Sequence, residues 1–135
     1  MKRLYSGGCH CHDVQFEVMA DISSGTDKCN CSICAKSRFW SIEVLPSDLR
    51  LISSPEMMTV FRGPNPGAQH PFCKRCGIRP FQHIGMPNMT GHEYFNVNIA
   101  CLEAIDIDEL MAAPMNFHDG LHDKWGDRPQ EARHL

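Results

Sequence analysis

Cys73-Lys74-Arg75-Cys76-Gly77 is the stretch that decides how this chain folds. Two thiolates three residues apart can grip one zinc ion if the backbone turns sharply between them. Gly77 supplies the positive φ such a knuckle commonly requires, because glycine has no Cβ to clash. A knuckle offers two ligands, and a closed zinc site takes about four, so a second pair must come from elsewhere in the chain.

Upstream, Cys9 and Cys11 form a C-x-C. On an extended segment residues i and i+2 face one way, which aims both sulfurs at one ion and turns His10 and His12 toward solvent. The spacing therefore predicts a structural zinc on Cys9, Cys11, Cys73 and Cys76. Such a site closes a long loop, and a small sheet protein gains most from that closure. His70, just before the knuckle, is expected either to hydrogen-bond a sulfur or to pack.

The middle cluster, Cys29-Asn30-Cys31-Ser32-Ile33-Cys34, is different. No glycine-marked knuckle completes it, and Ala35 lets the segment run on into a helical turn. Two readings stand. In one, Cys29, Cys31 and Cys34 hold a second zinc whose fourth position is open, the arrangement of a reactive site. In the other, Cys101 or a histidine fills that position and the metal is structural. Cys101 stands alone in an apolar, strand-like run, where a free cysteine usually serves as a small buried hydrophobe. A three-ligand site also releases its metal more readily than a closed one, so two zincs per chain are expected, the second labile.

The rest of the chain sets the frame. Its 135 residues suit a single domain spanning 1–135, and a hydrophobic content of 42% argues against disorder. The net charge of −3 lacks the basic footprint that phosphate backbones demand, so nucleic acid is not an expected partner. No apolar run approaches the ~18 residues of a membrane helix, and none follows Lys2 and Arg3 as a signal core would. These features predict a cytoplasmic chain without a membrane partner. In a reducing compartment the eight cysteines point to metal rather than disulfides, and C-x-C pairs bond to each other only with strain. Val14, Phe16 and Val18 alternate with Gln15, Glu17 and Met19 as a strand with one buried face, and Met57–Arg62 and Phe95–Ala100 read likewise. Helical signal is confined to turns after Cys31, after Ser47 and around Ile107–Met111. Residues 126–135 read as a loose C-terminal tail. The expected architecture is mainly β.

The three clusters in order, Gly7-Gly8-Cys9-His10-Cys11, Cys29-Asn30-Cys31-Ser32-Ile33-Cys34-Ala35-Lys36 and His70-Pro71-Phe72-Cys73-Lys74-Arg75-Cys76-Gly77-Ile78, resemble the glutathione-dependent formaldehyde-activating enzyme family. Asn96-Val97-Asn98-Ile99-Ala100-Cys101-Leu102 looks like that family's closing strand. The likeness runs over nearly the whole chain. It implies a β-tent fold of small antiparallel sheets organised around cysteine-bound zinc. It also implies a structural zinc on Cys9, Cys11, Cys73 and Cys76, and a second zinc on Cys29, Cys31 and Cys34, where the chemistry occurs. The family's reaction joins glutathione and formaldehyde to give S-hydroxymethylglutathione, which makes the implied activity that of a carbon–sulfur lyase running toward addition. The expected partners are thus a small thiol, glutathione or similar, and an aldehyde.

Beside the second cluster, Lys36 and Arg38 are candidates to attract the carboxylates of glutathione, or else to balance the charge of the site. Phe39 and Trp40 either line a substrate cleft or join the core. Ser37-Arg38-Phe39-Trp40 is bulkier than the small residues many relatives of that family place here, which would shape the pocket for a different thiol or aldehyde. The competing functional class is a non-catalytic zinc module that binds a protein partner, with both metals structural.

Overall fold

In the computed structural model, which describes residues 1–135, the alternation around Phe16 becomes strand β2, Gln15–Ala20. Phe16, Val18 and Ala20 turn inward from it and are buried. It pairs antiparallel with β1, Arg3–Gly8, and with β5, Leu49–Leu51, to form a three-stranded sheet. Gly7 sits opposite Phe16 in this register. A Cβ on Gly7 would lie 2.3 Å from the Phe16 ring, so only glycine leaves room for the aromatic ring to lie across β1.

The second sheet has seven strands. From one edge to the other it runs β10 (Met115–His118), β3 (Thr26–Cys29), β4 (Trp40–Val44), β9 (Tyr94–Asn98), β8 (Phe81–Ile84), β7 (Ala68–Cys73) and β6 (Met58–Arg62). Every pairing is antiparallel except β10 with β3, which is parallel. The architecture is mainly β, as the sequence predicts, although one sheet is wide and its far edge is not antiparallel. The helices are short: α1, Ser32–Ser37, and α2, Ile107–Ala112, the latter capped by Asp106, whose carboxylate accepts from the amides of Asp108 and Glu109. The turn expected after Ser47 is a 3-10 turn at Pro46–Asp48.

The two sheets enclose one main core. Tyr5, Phe16 and Val18 from the small sheet meet Ile42, Val44, Phe81 and Val97 from the large one. Phe16 and Phe81 meet edge to face at 5.7 Å, and Phe81 repeats the contact with Phe95 at 5.6 Å. Full burial of one such ring contributes about 1.5–3 kcal/mol. The strand read over Phe95–Ala100 ends earlier, at Asn98, whose side chain accepts from the Ala100 amide and opens a 3-10 turn over Ile99–Cys101. Cys101 therefore belongs to a turn, not a strand, but it is buried in the main core as a small hydrophobe.

The last ten residues form no helix or strand, yet they lie against the large sheet and α1. Ala132 is buried, Lys28 Nζ donates to the Leu135 carbonyl at 2.9 Å, and Arg38 donates to the His134 carbonyl. No helix is long and apolar enough to cross a membrane.

Candidate metal centres

Two hairpin turns face each other at the first centre. The connection from β1 to β2 carries Cys9 and Cys11, while Cys73 ends β7 and Cys76 lies in the turn that follows it. The C-x-C is not extended, as its spacing suggested. Between β1 and β2 the chain must reverse, so Cys9 to Val14 forms a tight turn in which the Cys9 amide donates to Val14 and the His12 amide to Cys9. His12 takes a left-handed φ of 66°, and both sulfurs reach one point by a curl of the backbone rather than by strand alternation. His10 and His12 are exposed, as expected. In the other turn Gly77 has φ 77°, and its amide donates to the Cys73 carbonyl at 2.9 Å.

The sulfurs converge accordingly. Cys9 Sγ lies 3.7 Å from Cys11 Sγ, which lies 3.6 Å from Cys73 Sγ. Together with Cys76 they fall within 4.8 Å of one another. Sulfurs bound at about 2.3 Å to a tetrahedral zinc stand ~3.8 Å apart, so this donor set fits that ion. Backbone amides support the sulfurs: Val14 donates to Cys9 Sγ at 3.3 Å, and Arg75 and Cys76 donate to Cys73 Sγ. The Cys76 amide is the main reason the Cys73 thiol titrates below its ordinary value. Cys9 and Cys73 are 2% and 0% exposed and form a small core with Val14.

The second centre comes from one short stretch. Cys29 ends β3, Cys31 caps α1, and Cys34 sits on the helix, with all three sulfurs within 4.8 Å of one another. No fourth histidine, cysteine or carboxylate joins them. Cys101 is elsewhere: its Sγ faces the Arg79 carbonyl at 3.8 Å, and burial pushes its thiol up to about 12. Contacts from Cys29 and then Cys34 pull the Cys31 thiol down, while contacts with Cys29 and Cys31 push Cys34 up. The three sulfurs lie close enough together for one cation to take the place of their protons. The donor set fits zinc with a free coordination position.

Asn30, between two of these cysteines, is locked from three sides. Its side chain donates to Asp119 Oδ1 at 2.8 Å, its Oδ1 accepts from the Leu121 amide at 2.9 Å, and its own amide donates to the His118 carbonyl. Asp119 also holds His122 Nδ1 at 2.9 Å. A Cβ on Gly120 would lie 2.7 Å from Cys29 Sγ and 2.5 Å from the Trp125 ring, so glycine alone lets that ring close over Cys29. The Phe117-to-Gly120 stretch has no recognisable role in sequence. Its part follows from the parallel pairing of β10 with β3, which sets His118 opposite Cys29.

The candidate substrate residues are placed variously. Lys36 is exposed on α1. Arg38 adopts a left-handed φ of 52° at the helix end and, with Lys28, Cys29, Cys34 and Phe39, lines a small cavity. The Trp40 ring is partly buried against the core, and its Nε1 donates to Thr26 Oγ1 at 2.9 Å. Phe39 is buried, with the Arg79 guanidinium stacked 4.4 Å from its ring centre. Of the two roles expected for His70, the packed one is found: it is buried and receives Arg79 Nη2 on Nδ1 at 3.1 Å. Burial, followed by the Arg79 charge, keeps His70 below its ordinary pKa and so neutral. Sequence reasoning missed Arg79, and the only available signal was a basic residue directly after a metal knuckle.

Comparison with known proteins agrees with this geometry. A family model described as glutathione-dependent formaldehyde-activating enzyme matches residues 4–118, which take in both cysteine centres. The crystal structure of a Rhodobacter sphaeroides protein is similar at a TM-score of 0.66 and 27% identity, covering 82% of this chain and 99% of that one.

Proposed function

Because the chain belongs to the glutathione-dependent formaldehyde-activating enzyme family, we propose that it adds a thiol, glutathione or a close relative, to a small aldehyde such as formaldehyde. In this reading Cys9, Cys11, Cys73 and Cys76 hold a structural zinc, and Cys29, Cys31 and Cys34 hold a second one at which the reaction runs. The observation that carries it is the unequal ligand count: four converging sulfurs at one centre and three at the other. When bound at the second centre, zinc supplies a vacant position and the capacity to keep an incoming thiol in its thiolate form.

The chain's own residues do the rest. Asn30, clamped by Asp119 and Leu121, fixes the backbone between Cys29 and Cys31 and so holds two donors in place. Trp125, packed against Gly120 beside Cys29, borders one side of the cluster. The thiol gives up its proton, its sulfur forms a bond to the aldehyde carbon, and the carbonyl electron pair moves to oxygen, which takes a proton from solvent. The product is a hydroxymethyl thioether, formally a lyase reaction in reverse.

The test is a titration of cobalt-substituted protein with glutathione, followed by visible absorption. A change in the cobalt bands that is lost in Cys31→Ser, with the fold intact, is the expected result. Identical spectra with and without thiol would mean that both centres are closed, and would leave the protein a zinc module.

A further inference from the structure

Arg79 is a cation with no acidic partner, beside a cluster that carries negative charge. It follows the knuckle of the first centre, and its carbonyl is tied to Asn98 Nδ2 at 2.9 Å. Its side chain, however, reaches α1, the helix that carries Cys34. Nη1 donates to Ser37 Oγ at 2.7 Å, on the last residue of α1 and one turn beyond Cys34. Nη2 donates to His70, and Phe39 stacks beneath the guanidinium. Nε is buried without a partner. A guanidinium has five N–H donors, and the acceptors found here, Ser37 and His70, are both neutral.

Holding a half-buried cation in this way is costly unless negative charge faces it. Burial lowers the Arg79 pKa, and the proximity of Cys34 and then Cys31 offsets part of that effect. Two neighbouring basic groups are engaged with main-chain carbonyls, Lys28 with Leu135 and Arg38 with His134, and Lys36 is exposed on the surface of α1.

We propose that Arg79 is a positioning residue for charge at the second centre, selecting an anionic fourth ligand over a neutral one. Three thiolates around a divalent ion carry one net negative charge. An arriving thiolate, whose proton leaves to solvent, adds another, and in a partly desolvated site that second charge is repelled unless a fixed cation stands close by. A neutral ligand brings no such charge and gains nothing from Arg79. The inference rests on the reading of the second centre as a metal site with an open position, and it adds which class of molecule that position takes.

The test uses cobalt-loaded protein titrated separately with 2-mercaptoethanol, a thiol without carboxylates, and with imidazole, a neutral ligand. Arg79→Gln is expected to weaken thiol binding at least about tenfold while leaving imidazole binding within about twofold. Arg79→Lys keeps the charge and should hold the thiol-to-imidazole ratio within about threefold of the original. An equal loss for both ligands would show that Arg79 merely braces α1, and no loss for either would show that its charge is irrelevant; each overturns the proposal. If Arg79→Gln does not fold, Arg79→Lys decides, since a tenfold fall in its ratio contradicts a charge effect. Original protein that binds neither ligand would sink the open-site reading and this inference together, whereas normal binding that ignores Arg79→Gln would sink only the inference.

Discussion

The two cysteine centres use the same donor atom and are built in opposite ways. The first is assembled from two distant turns, each internally hydrogen-bonded, whose sulfurs accept backbone amides and are sealed into a core of their own. The second draws its sulfurs from six consecutive residues, but borrows its surroundings from far along the chain: Arg79 against α1, and Asp119, Gly120 and Trp125 about Asn30 and Cys29. A centre that joins distant parts of the chain holds the fold together. A centre made locally and walled by distant parts leaves a position that those walls can shape.

The comparison is broken most directly by exchanging one ligand in each centre. Cys73→Ser should unfold the protein or cost on the order of 5 kcal/mol, because the binding free energy of a structural zinc is also folding free energy. Cys31→Ser should instead retain far-ultraviolet circular dichroism and a melting temperature near the original, with zinc content falling from two to one. Equal damage from both changes would erase the distinction between scaffold and reactive centre.

Glycine substitutions sharpen it. Gly120→Ala puts a methyl group against Cys29 Sγ and the Trp125 ring, an overpacking that should cost about 1–3 kcal/mol in chemical denaturation and weaken cobalt at the second centre only. Gly77→Ala meets no atom within 4 Å, so its cost is conformational, about 1 kcal/mol for a left-handed turn, and should fall on the first centre. A reversed order of costs would mean that the Trp125 wall yields more easily than the knuckle.

The smallest effect concerns the strand that carries the wall. His118 Nε2 lies 2.7 Å from Asp27 Oδ1 across the β10–β3 pair, and that bond raises the histidine pKa. With the folded value above the unfolded one, this stabilisation is fully present below the unfolded pKa and is lost as pH rises through the folded value. Hydrogen exchange at β10 should therefore quicken as pH rises above the ordinary histidine range, by no more than about 0.5 kcal/mol because the pair is partly exposed, and His118→Gln should flatten the profile.

The partition of cysteines was legible because spacing fixes which sulfurs can share an ion. Gly77 marked the knuckle, and Ala35 marked the helical turn under Cys34. The curl at Cys9–Val14 was not legible, since a C-x-C serves a strand or a turn equally well and only the β1–β2 reversal decides between them. Arg79 was hidden for a different reason. Nothing local reports that Arg79, just before β8, crosses to α1. Trp40 reads as a cleft residue until its indole N–H is seen bonded to Thr26, a partner buried on the adjacent strand.

The parallel alignment of β10 with β3 has a consequence for synthesis. Every sulfur of the first centre has been made once residue 76 is added, so a nascent chain could load a metal there and fix its amino-terminal half while later strands are still being made. The ledge formed by Asp119, Gly120 and Trp125 must await a strand translated much later, which returns to the edge of a sheet already laid down. Metal held by Cys29, Cys31 and Cys34 before then would stand open to competing thiols, so vectorial production would secure an ion at the first centre before one at the second.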